Sequence, residues 1–159
     1  LPAGGRGEIC LRGPNIMKGY WNRPEATAEA IDGEGWFHSG DVGYFDDDGF
    51  LFICDRLKDM VISGGENVYP AEVESALYKH EAIAEVAVIG LPDEKWGEAV
   101  TAVVALHDGH QLTIEELRSF AETMLARYKL PARLHVVDAL PRNPAGKVLK
   151  FVLKDELKK

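Results

Sequence analysis

The chain has 159 residues, of which 46% are hydrophobic and 28% are charged, which suits one soluble domain or two small ones and excludes a disordered chain. Its formal net charge of -8 argues against a nucleic-acid or anionic-membrane surface as its main function. No apolar run approaches the roughly 20 residues that span a bilayer, so no transmembrane segment is expected. The two cysteines, Cys10 and Cys54, form no CxxC motif, and we interpret them as core thiols of a cytoplasmic protein.

Both ends of the sequence are distinctive. The chain begins without methionine in the glycine-rich segment 1–7, which lacks the apolar stretch of a signal peptide, and we expect it to be part of a larger protein. From Arg142 onward, six basic side chains accompany two acidic ones. Two interpretations of this basic end are open. It faces an anionic ligand, or it is a solvated helix end in which Lys154, Lys158 and Lys159 interact favourably with the helix dipole.

Residues 1–56 are predicted to form a small, mainly β unit. The predicted strands are 8–12, 36–38, 42–45 and 50–54. One helix is expected from Pro24 to about Ile31, because proline favours the first helical turn. The segment 46–49, Asp-Asp-Asp-Gly, predicts a tight hairpin turn. It does not fit a calcium loop, since three consecutive aspartates cannot supply alternating ligands.

After Arg56 the elements become longer, which indicates a domain boundary between Asp55 and Asp59. The predicted strands are 60–62, 67–69, 84–91, 100–106 and 134–137, and the predicted helices begin near residues 70, 113 and 149. The segment 92–98 between two strands is expected to be a polar loop. The order β-β-α-β-β-α-β-α predicts a compact α+β domain of about 100 residues.

Two of these helices have apolar stripes at helical spacing. In the helix that Pro70 opens, the stripe is Val73, Ala76, Leu77 and His80. Thr113 and Glu116 predict a capping box for the next helix. Its stripe is Leu117, Phe120, Ala121, Met124 and Leu125. We expect Leu130-Pro131 to end this second helix.

Three loops have compositions typical of ligand contacts, whereas Walker A, GxSxG, HExxH and paired Cys/His patterns are absent. They are 38–41 (His-Ser-Gly-Asp), 55–59 (Asp-Arg-Leu-Lys-Asp) together with 63–67 (Ser-Gly-Gly-Glu-Asn), and 141–147 (Pro-Arg-Asn-Pro-Ala-Gly-Lys). A carboxylate with a nearby guanidinium can bind a vicinal diol, so Asp41 and Arg56 suit a ribose. The small residues 63–65 allow a phosphate or pantetheine chain to approach backbone N–H groups. Lys147 can meet developing negative charge on a carboxylate or phosphoryl oxygen.

Each of these residues also has a purely structural interpretation. Asp41 can be a turn residue, Arg56 and Asp59 a surface ion pair, and the glycines at 64–65 and 146 ordinary turn glycines. These alternatives stay open residue by residue. Their coincidence in one chain nevertheless favours a ligand site.

Four segments resemble, in chain order, the C-terminal third of the adenylate-forming (AMP-binding) acyl-CoA ligases. The segments are 7–25, 35–41, 55–74 and 141–147. The superfamily includes fatty acyl-CoA synthetases, hydroxycinnamate-CoA ligases, luciferases and peptide-synthetase adenylation domains. The resemblance covers essentially the whole chain and looks strongest to bacterial medium- or long-chain fatty acyl-CoA ligases.

The resemblance implies a two-step reaction, in which a carboxylate and ATP give an acyl-adenylate and pyrophosphate, and CoA then gives the thioester and AMP. It implies that Asp41, Arg56, Lys58 and Lys147 bind the nucleotide, with Lys147 as the catalytic adenylation lysine. It further implies that Ser63, Gly64 and Gly65 bind CoA. Lys58 would be the hinge about which the small domain rotates.

The resemblance also implies the domain organisation. Residues 1–57 would be the β-rich end of the large N-terminal domain, and 58–159 the mobile lid domain, a short central sheet flanked by helices plus a β-hairpin. The phosphate loop, the acyl pocket and the Mg²⁺ ligands would lie outside this chain, so no metal ligand is assigned and the fragment alone is expected to be inactive. Its partners would be a fatty acid, ATP, CoA and its own N-terminal domain.

Two departures from the family pattern bear on this interpretation. Ser39 replaces the usual threonine but keeps the hydroxyl, and Ile62 stands where luciferases and hydroxycinnamate ligases commonly have lysine, which favours an aliphatic acid. A carrier-loading adenylation domain and a non-catalytic nucleotide- or CoA-binding module remain alternatives. The sequence determines neither the acyl chain length nor the oligomeric state.

Overall fold

The computed structural model describes residues 1–158, so Lys159 lies outside the described residues. The chain folds into two compact units, Leu1–Lys58 and Asp59–Lys159. Across residues 1–158 no helix combines the length and the apolar content that a membrane crossing requires.

The first unit contains a three-stranded antiparallel sheet in the order β1-β2-β3. Its elements are β1 (Gly7–Leu11), α1 (Pro24–Ala30), β2 (Phe37–Phe45) and β3 (Leu51–Arg56). The two strands predicted at 36–38 and 42–45 are one strand, because β2 continues through a bulge at 39–41, where Gly40 has a positive φ of 71° and the pairing with β1 shifts register. The predicted acidic turn is confirmed, since the Asp46 carboxylate accepts hydrogen bonds from the N–H groups of Asp48 and Phe50.

Few apolar side chains of this first unit are buried. Among its residues Val42 is the one hydrophobic side chain in the buried class, whereas several large ones are exposed. The exposed set includes Trp21, Phe45, Phe50, Phe52 and Ile53. The prediction that both cysteines are core thiols is wrong, because Cys10 is exposed and Cys54 is partly exposed. A small sheet with one short helix covers too little of its own surface to enclose them.

The second unit is built on a five-stranded sheet in the order β5-β4-β7-β6, with β8 added in parallel to β7. Its strands are β4 (Val61–Ser63), β5 (Glu66–Val68), β6 (Ile83–Asp93), β7 (Gly97–Leu106) and β8 (Arg133–Val136). Its helices are α2 (Pro70–Leu77), α3 (Ile114–Ala121) and α4 (Lys150–Leu157). This order confirms the predicted α+β arrangement.

Both faces of this sheet are covered, which explains the nearly continuous apolar character of β6 and β7. Side chains alternate across a strand, so Val88 joins the cluster that contains Val73 and Leu77 of α2 and Leu117 of α3. Its neighbour Ile89 points to the opposite face. The second cluster comprises Ala87, Ile89, Leu91, Val103, Leu140 and Leu153 of α4.

Three local predictions for the second unit differ from the structure. The segment 92–98 is mostly strand, because β6 and β7 pair as far as Asp93 and Gly97. The helix α2 ends at Leu77, so His80 lies beyond it and packs edge-on against the Phe120 ring at 4.8 Å.

The third difference is the end of α3, which stops at Ala121 rather than at Leu130-Pro131. The predicted capping box is present at its start. Beyond the helix, the N–H groups of Met124 and Leu125 both bond to the carbonyl of Ala121, and Leu125 is buried whereas Met124 is 37% exposed. A compact turn therefore carries Leu125 into the core in place of a continued helix.

Candidate nucleotide and thiol-ligand sites

The Asp41 and Arg56 side chains lie together in the first unit. The two residues are paired in register across β2 and β3, and Arg56 Nε donates to Asp41 Oδ1 at 2.9 Å. The Asp41 N–H also donates to Ser39 Oγ at 3.1 Å. Asp41 is partly exposed and Arg56 is exposed, so a carboxylate and a guanidinium are presented together on the surface, as binding to sugar hydroxyls requires.

A network behind Asp41 holds the turn that precedes it. One Glu8 oxygen accepts the Gly40 N–H at 3.0 Å, and the other contacts His38 Nδ1 at 2.8 Å. His38 Nε2 lies 3.5 Å from an Asp32 oxygen, and the other Asp32 oxygen accepts the N–H of Trp36 at 2.9 Å. No role for Glu8 or Asp32 was predicted from the sequence. The roles of these two residues depend on contacts between distant segments of the chain, which a single sequence does not reveal.

This network predicts a pH dependence of the stability of the first unit. The hydrogen bond that the Glu8 carboxylate accepts from His38, together with the contact to Asp32, raises the pKa of His38 above its ordinary value. A raised folded pKa means that the stabilisation is complete below about pH 6.5, the unfolded value, and is lost as pH rises through the folded pKa. We expect the thermal midpoint of the first unit to fall over that interval, and to fall less in Glu8→Gln.

Thermal unfolding of the 159-residue chain at pH values from 5.5 to 8.5 measures this, with NMR titration of His38 giving its pKa directly. Glu34→Gln is the matched control, because Glu34 lies in the same unit but does not bond to His38. The same fall with pH in the wild type and in Glu8→Gln would contradict the assignment.

The Glu8, Cys10 and His38 side chains also form the one cluster of metal-ligating types found within residues 1–158, with ligand atoms within 4.8 Å of one another. Mg²⁺ takes oxygen ligands in octahedral geometry. One carboxylate beside a thiol and an imidazole does not fit it, and both Glu8 oxygens already contact protein groups.

In the second unit, Gly64 and Gly65 form the turn between β4 and β5, directly after Ser63 at the end of β4. Gly64 and Gly65 have φ values of 61° and 86°, which is the left-handed conformation that a two-residue hairpin turn requires. The Gly64 N–H donates to the Trp96 carbonyl at 2.8 Å, and Ser63 pairs with Gly97 of β7. The turn is therefore held against the β6–β7 hairpin.

A groove of about 630 Å³ lies beside this turn. Besides Ser63 and Gly64, its lining includes cationic and aromatic side chains. They are Lys95, Trp96, Arg118, Arg127 and Tyr128. Cations beside exposed rings suit a ligand that combines phosphates with an aromatic base. This lining was not predicted from the sequence. The feature of the sequence that could have indicated it is Trp96, a tryptophan within the polar segment 92–98.

Lys147 is exposed at the end of a short loop in the second unit. The Asn143 side chain accepts the N–H groups of Ala145 and Lys147, at 3.1 and 2.9 Å. Gly146 has a φ of 81°, and the Asn143 N–H donates to the Lys147 carbonyl at 2.9 Å. The backbone of the loop is thus fixed, while the Lys147 ammonium contacts no acidic group among residues 1–158.

The structure also gives the surroundings of Lys58 and of the basic C-terminal segment. Lys58 is exposed in a 3-10 turn at the end of the first unit. In the basic segment, Lys150 Nζ lies 2.6 Å from Glu74 and Lys158 Nζ 3.9 Å from Asp155. Lys150 and Lys158 therefore have carboxylate partners, whereas the helix-dipole interpretation of Lys159 lies outside the described residues.

Known proteins are similar to this chain over most of its sequence. Residues 72–147 match the model of the AMP-binding enzyme C-terminal domain. The chain is 53% identical over 152 residues to the long-chain-fatty-acid–CoA ligase FadD13 of Mycobacterium tuberculosis, covering 96% of this chain and 30% of that protein. It is 53% identical over 150 residues to a feruloyl-CoA synthase of an Amycolatopsis species, covering 94% of this chain and 30% of that protein.

A similarity of structure accompanies the similarity of sequence. The crystal structure of ATP-bound MatB from Rhodopseudomonas palustris matches with a TM-score of 0.91 and 42% identity, covering 100% of this chain and 32% of that one. The chain therefore spans about 30% of the length of the curated relatives that it matches.

Proposed function

We propose that the whole protein is an ATP-dependent fatty acyl-CoA ligase, because this chain belongs to the AMP-binding family of adenylate-forming acyl-CoA ligases and corresponds to the C-terminal part of its members. In the first step an oxygen of the acid attacks the α-phosphorus of ATP, and pyrophosphate leaves. In the second step the CoA sulfur attacks the carbonyl carbon of the acyl-adenylate, and AMP leaves.

The observation that carries this proposal is that the 53% identity to FadD13 extends over both units of the chain. The fatty acid is proposed on that relative and on Ile62, and a feruloyl-CoA synthase at the same identity makes an aromatic acid the direct competitor. The proposed domain assignment makes residues 1–57 the end of the large domain and 58–159 the mobile domain. Besides the small-molecule substrates, the proposed partner of this chain is the N-terminal domain of the same protein.

The nucleotide roles are proposed for two separate sets of residues. Asp41, held by Arg56 at 2.9 Å, would accept hydrogen bonds from the ribose hydroxyls. Lys147, exposed on its fixed loop, would stabilise the negative charge that develops between the carboxylate and the α-phosphate. Lys58 would bind nucleotide and act as the hinge. Mg²⁺ would accompany ATP, with its ligands in the part of the protein outside this chain.

The thiol ligand is proposed to follow the turn at 63–65. Its small side chains allow a pantetheine chain to pass close to the backbone. The neighbouring groove offers the Trp96 and Tyr128 rings together with arginines, which suits the base and the phosphates at the other end of CoA.

Gly64→Ala is expected to slow thioester formation from supplied acyl-adenylate and CoA by about 10-fold or more, whereas pyrophosphate release stays near wild type. A Cβ at residue 64 would lie 2.8 Å from Trp96 Cε3, with φ at 61°, so the turn or the Trp96 ring must shift, and either shift changes the lining of the groove. Gly65→Ala is the matched control, because its added Cβ meets open space at φ 86° and tests backbone strain alone. Equal effects of the two substitutions would contradict a role for the contact with Trp96.

The proposal is tested with the full-length protein, ATP and CoA, against a panel of fatty and aromatic acids. We expect AMP, pyrophosphate and acyl-CoA in equal amounts, with fatty acids preferred. A preference for aromatic acids would overturn the substrate assignment. Transfer only to a phosphopantetheinyl carrier would favour a carrier-loading domain, and the absence of turnover by the folded protein would favour a non-catalytic module.

A further inference from the structure

The loop that presents Lys147 is tied to the sheet through Glu85 of β6. One Glu85 oxygen accepts from Arg142 Nη2 at 2.9 Å. The other oxygen accepts the N–H of Leu140 at 3.2 Å, just before the loop begins. A single carboxylate therefore bonds both the backbone that enters the loop and the first charged side chain within it.

The Arg142 guanidinium also bonds to Gly146, the residue directly before the lysine. Its Nη1 donates to the Gly146 carbonyl at 2.7 Å, and that carbonyl belongs to the peptide unit that joins Gly146 to Lys147. The planar guanidinium can hold two acceptors at a fixed spacing, which an ammonium cannot reproduce. The chain of contacts thus runs from β6 through Glu85 and Arg142 to the backbone of Lys147.

The internal bonds of the loop do not replace this connection. Asn143 closes the loop on itself by accepting the N–H groups of Ala145 and Lys147, which sets the shape of the loop. Those bonds do not set its direction relative to the sheet. Glu85 lies on the long β6–β7 hairpin, whose Ala87 and Ile89 are buried in the core, so it is a rigid point of attachment.

We propose that Glu85 and Arg142 are positioning residues that hold the Lys147 loop in the orientation needed for adenylation. The inference rests on the proposed function, because it takes Lys147 as the adenylation lysine. Neither residue need touch a substrate. Both side chains are partly exposed, at 33% and 42%, and a pair of this exposure contributes little to stability, so the effect should be on rate rather than on folding.

The half-reactions of the full-length protein test this. Glu85→Ala and Arg142→Lys are each expected to slow pyrophosphate release by about 10- to 100-fold, which is the cost of a misplaced reacting group. Thioester formation from supplied acyl-adenylate should stay within about twofold of wild type, because that step does not use Lys147. Glu85→Gln keeps one acceptor for Arg142 and should lie in between.

A double-mutant cycle of Glu85→Ala, Arg142→Ala and the double variant tests whether the two residues act through each other. If the two residues act as one unit, Glu85→Ala combined with Arg142→Ala is no slower in adenylation than the slower single variant. Asp155→Ala is the control. It removes an exposed carboxylate of α4 in the same unit, which pairs with Lys158, and it should leave both half-reactions unchanged.

The outcomes separate this inference from the proposed function. Wild-type adenylation by Glu85→Ala and Arg142→Lys, with Lys147→Ala inactive, would overturn the inference alone. An equal loss in both half-reactions would assign the pair a general structural role and would also overturn it. Unchanged adenylation in Lys147→Ala would overturn the proposed role of that lysine and the inference with it.

Discussion

Lys147→Ala in the full-length protein is expected to reduce pyrophosphate release by about 10²- to 10³-fold, the range typical for removing one group that stabilises transition-state charge. The ammonium is exposed on a loop whose backbone is fixed by Asn143. It is thus free to meet an incoming oxyanion without first leaving an acidic partner among residues 1–158. Thioester formation from supplied acyl-adenylate should remain, because the proposed role of Lys147 is confined to the adenylation step.

Single-turnover assays of each half-reaction measure this effect. Lys158→Ala is the matched control, since it removes an exposed cation of the same unit that pairs with Asp155. Lys147→Arg adds a second comparison, because it keeps the charge while changing its size and hydrogen-bond geometry. A similar loss in both half-reactions of Lys147→Ala would contradict the proposed role.

Leu77→Ala is expected to lower the free energy of unfolding of the second unit by about 2–5 kcal/mol, the range for truncating a fully buried leucine. Leu77 is 0% exposed and packs in the cluster that joins α2, α3 and one face of the sheet. The substitution removes three buried carbon atoms and leaves a cavity that the two-sided packing around β6 and β7 prevents from closing fully.

Native-state hydrogen exchange at the amides of Val88 and Val103 reads the second unit separately from the first. Tyr78→Ala is the control. It truncates the adjacent side chain, which is 62% exposed, and it should change the free energy of unfolding by less than about 0.5 kcal/mol. Equal small effects of the two substitutions would mean that Leu77 is not part of a packed core.

Local chemistry made most elements of the fold predictable. The capping box of Thr113 and Glu116, the proline at the start of α2 and the acidic turn at 46–49 each depend on residues that are neighbours in sequence. Predictions failed where contacts between distant residues determine the ends of an element. The end of α3 is set by the burial of Leu125, and the length of the β6–β7 hairpin by pairing across the sheet rather than by the polarity of 92–98.

The candidate sites divide in the same way. The amino-acid sequence alone established which residue types stand in the three loops, and therefore the family and the choice of Asp41, the turn at 63–65 and Lys147. These loops are short and contiguous, so their chemistry is visible without a fold.

The groups that support those loops are brought to them by the tertiary fold. Glu8 lies 32 residues from the Gly40 N–H that it accepts, and Glu85 lies 57 residues from Arg142. Trp96 meets Gly64 only because β4 and β7 are adjacent. Such contacts arise from strand pairing between distant segments, and a single sequence contains no local pattern that specifies them.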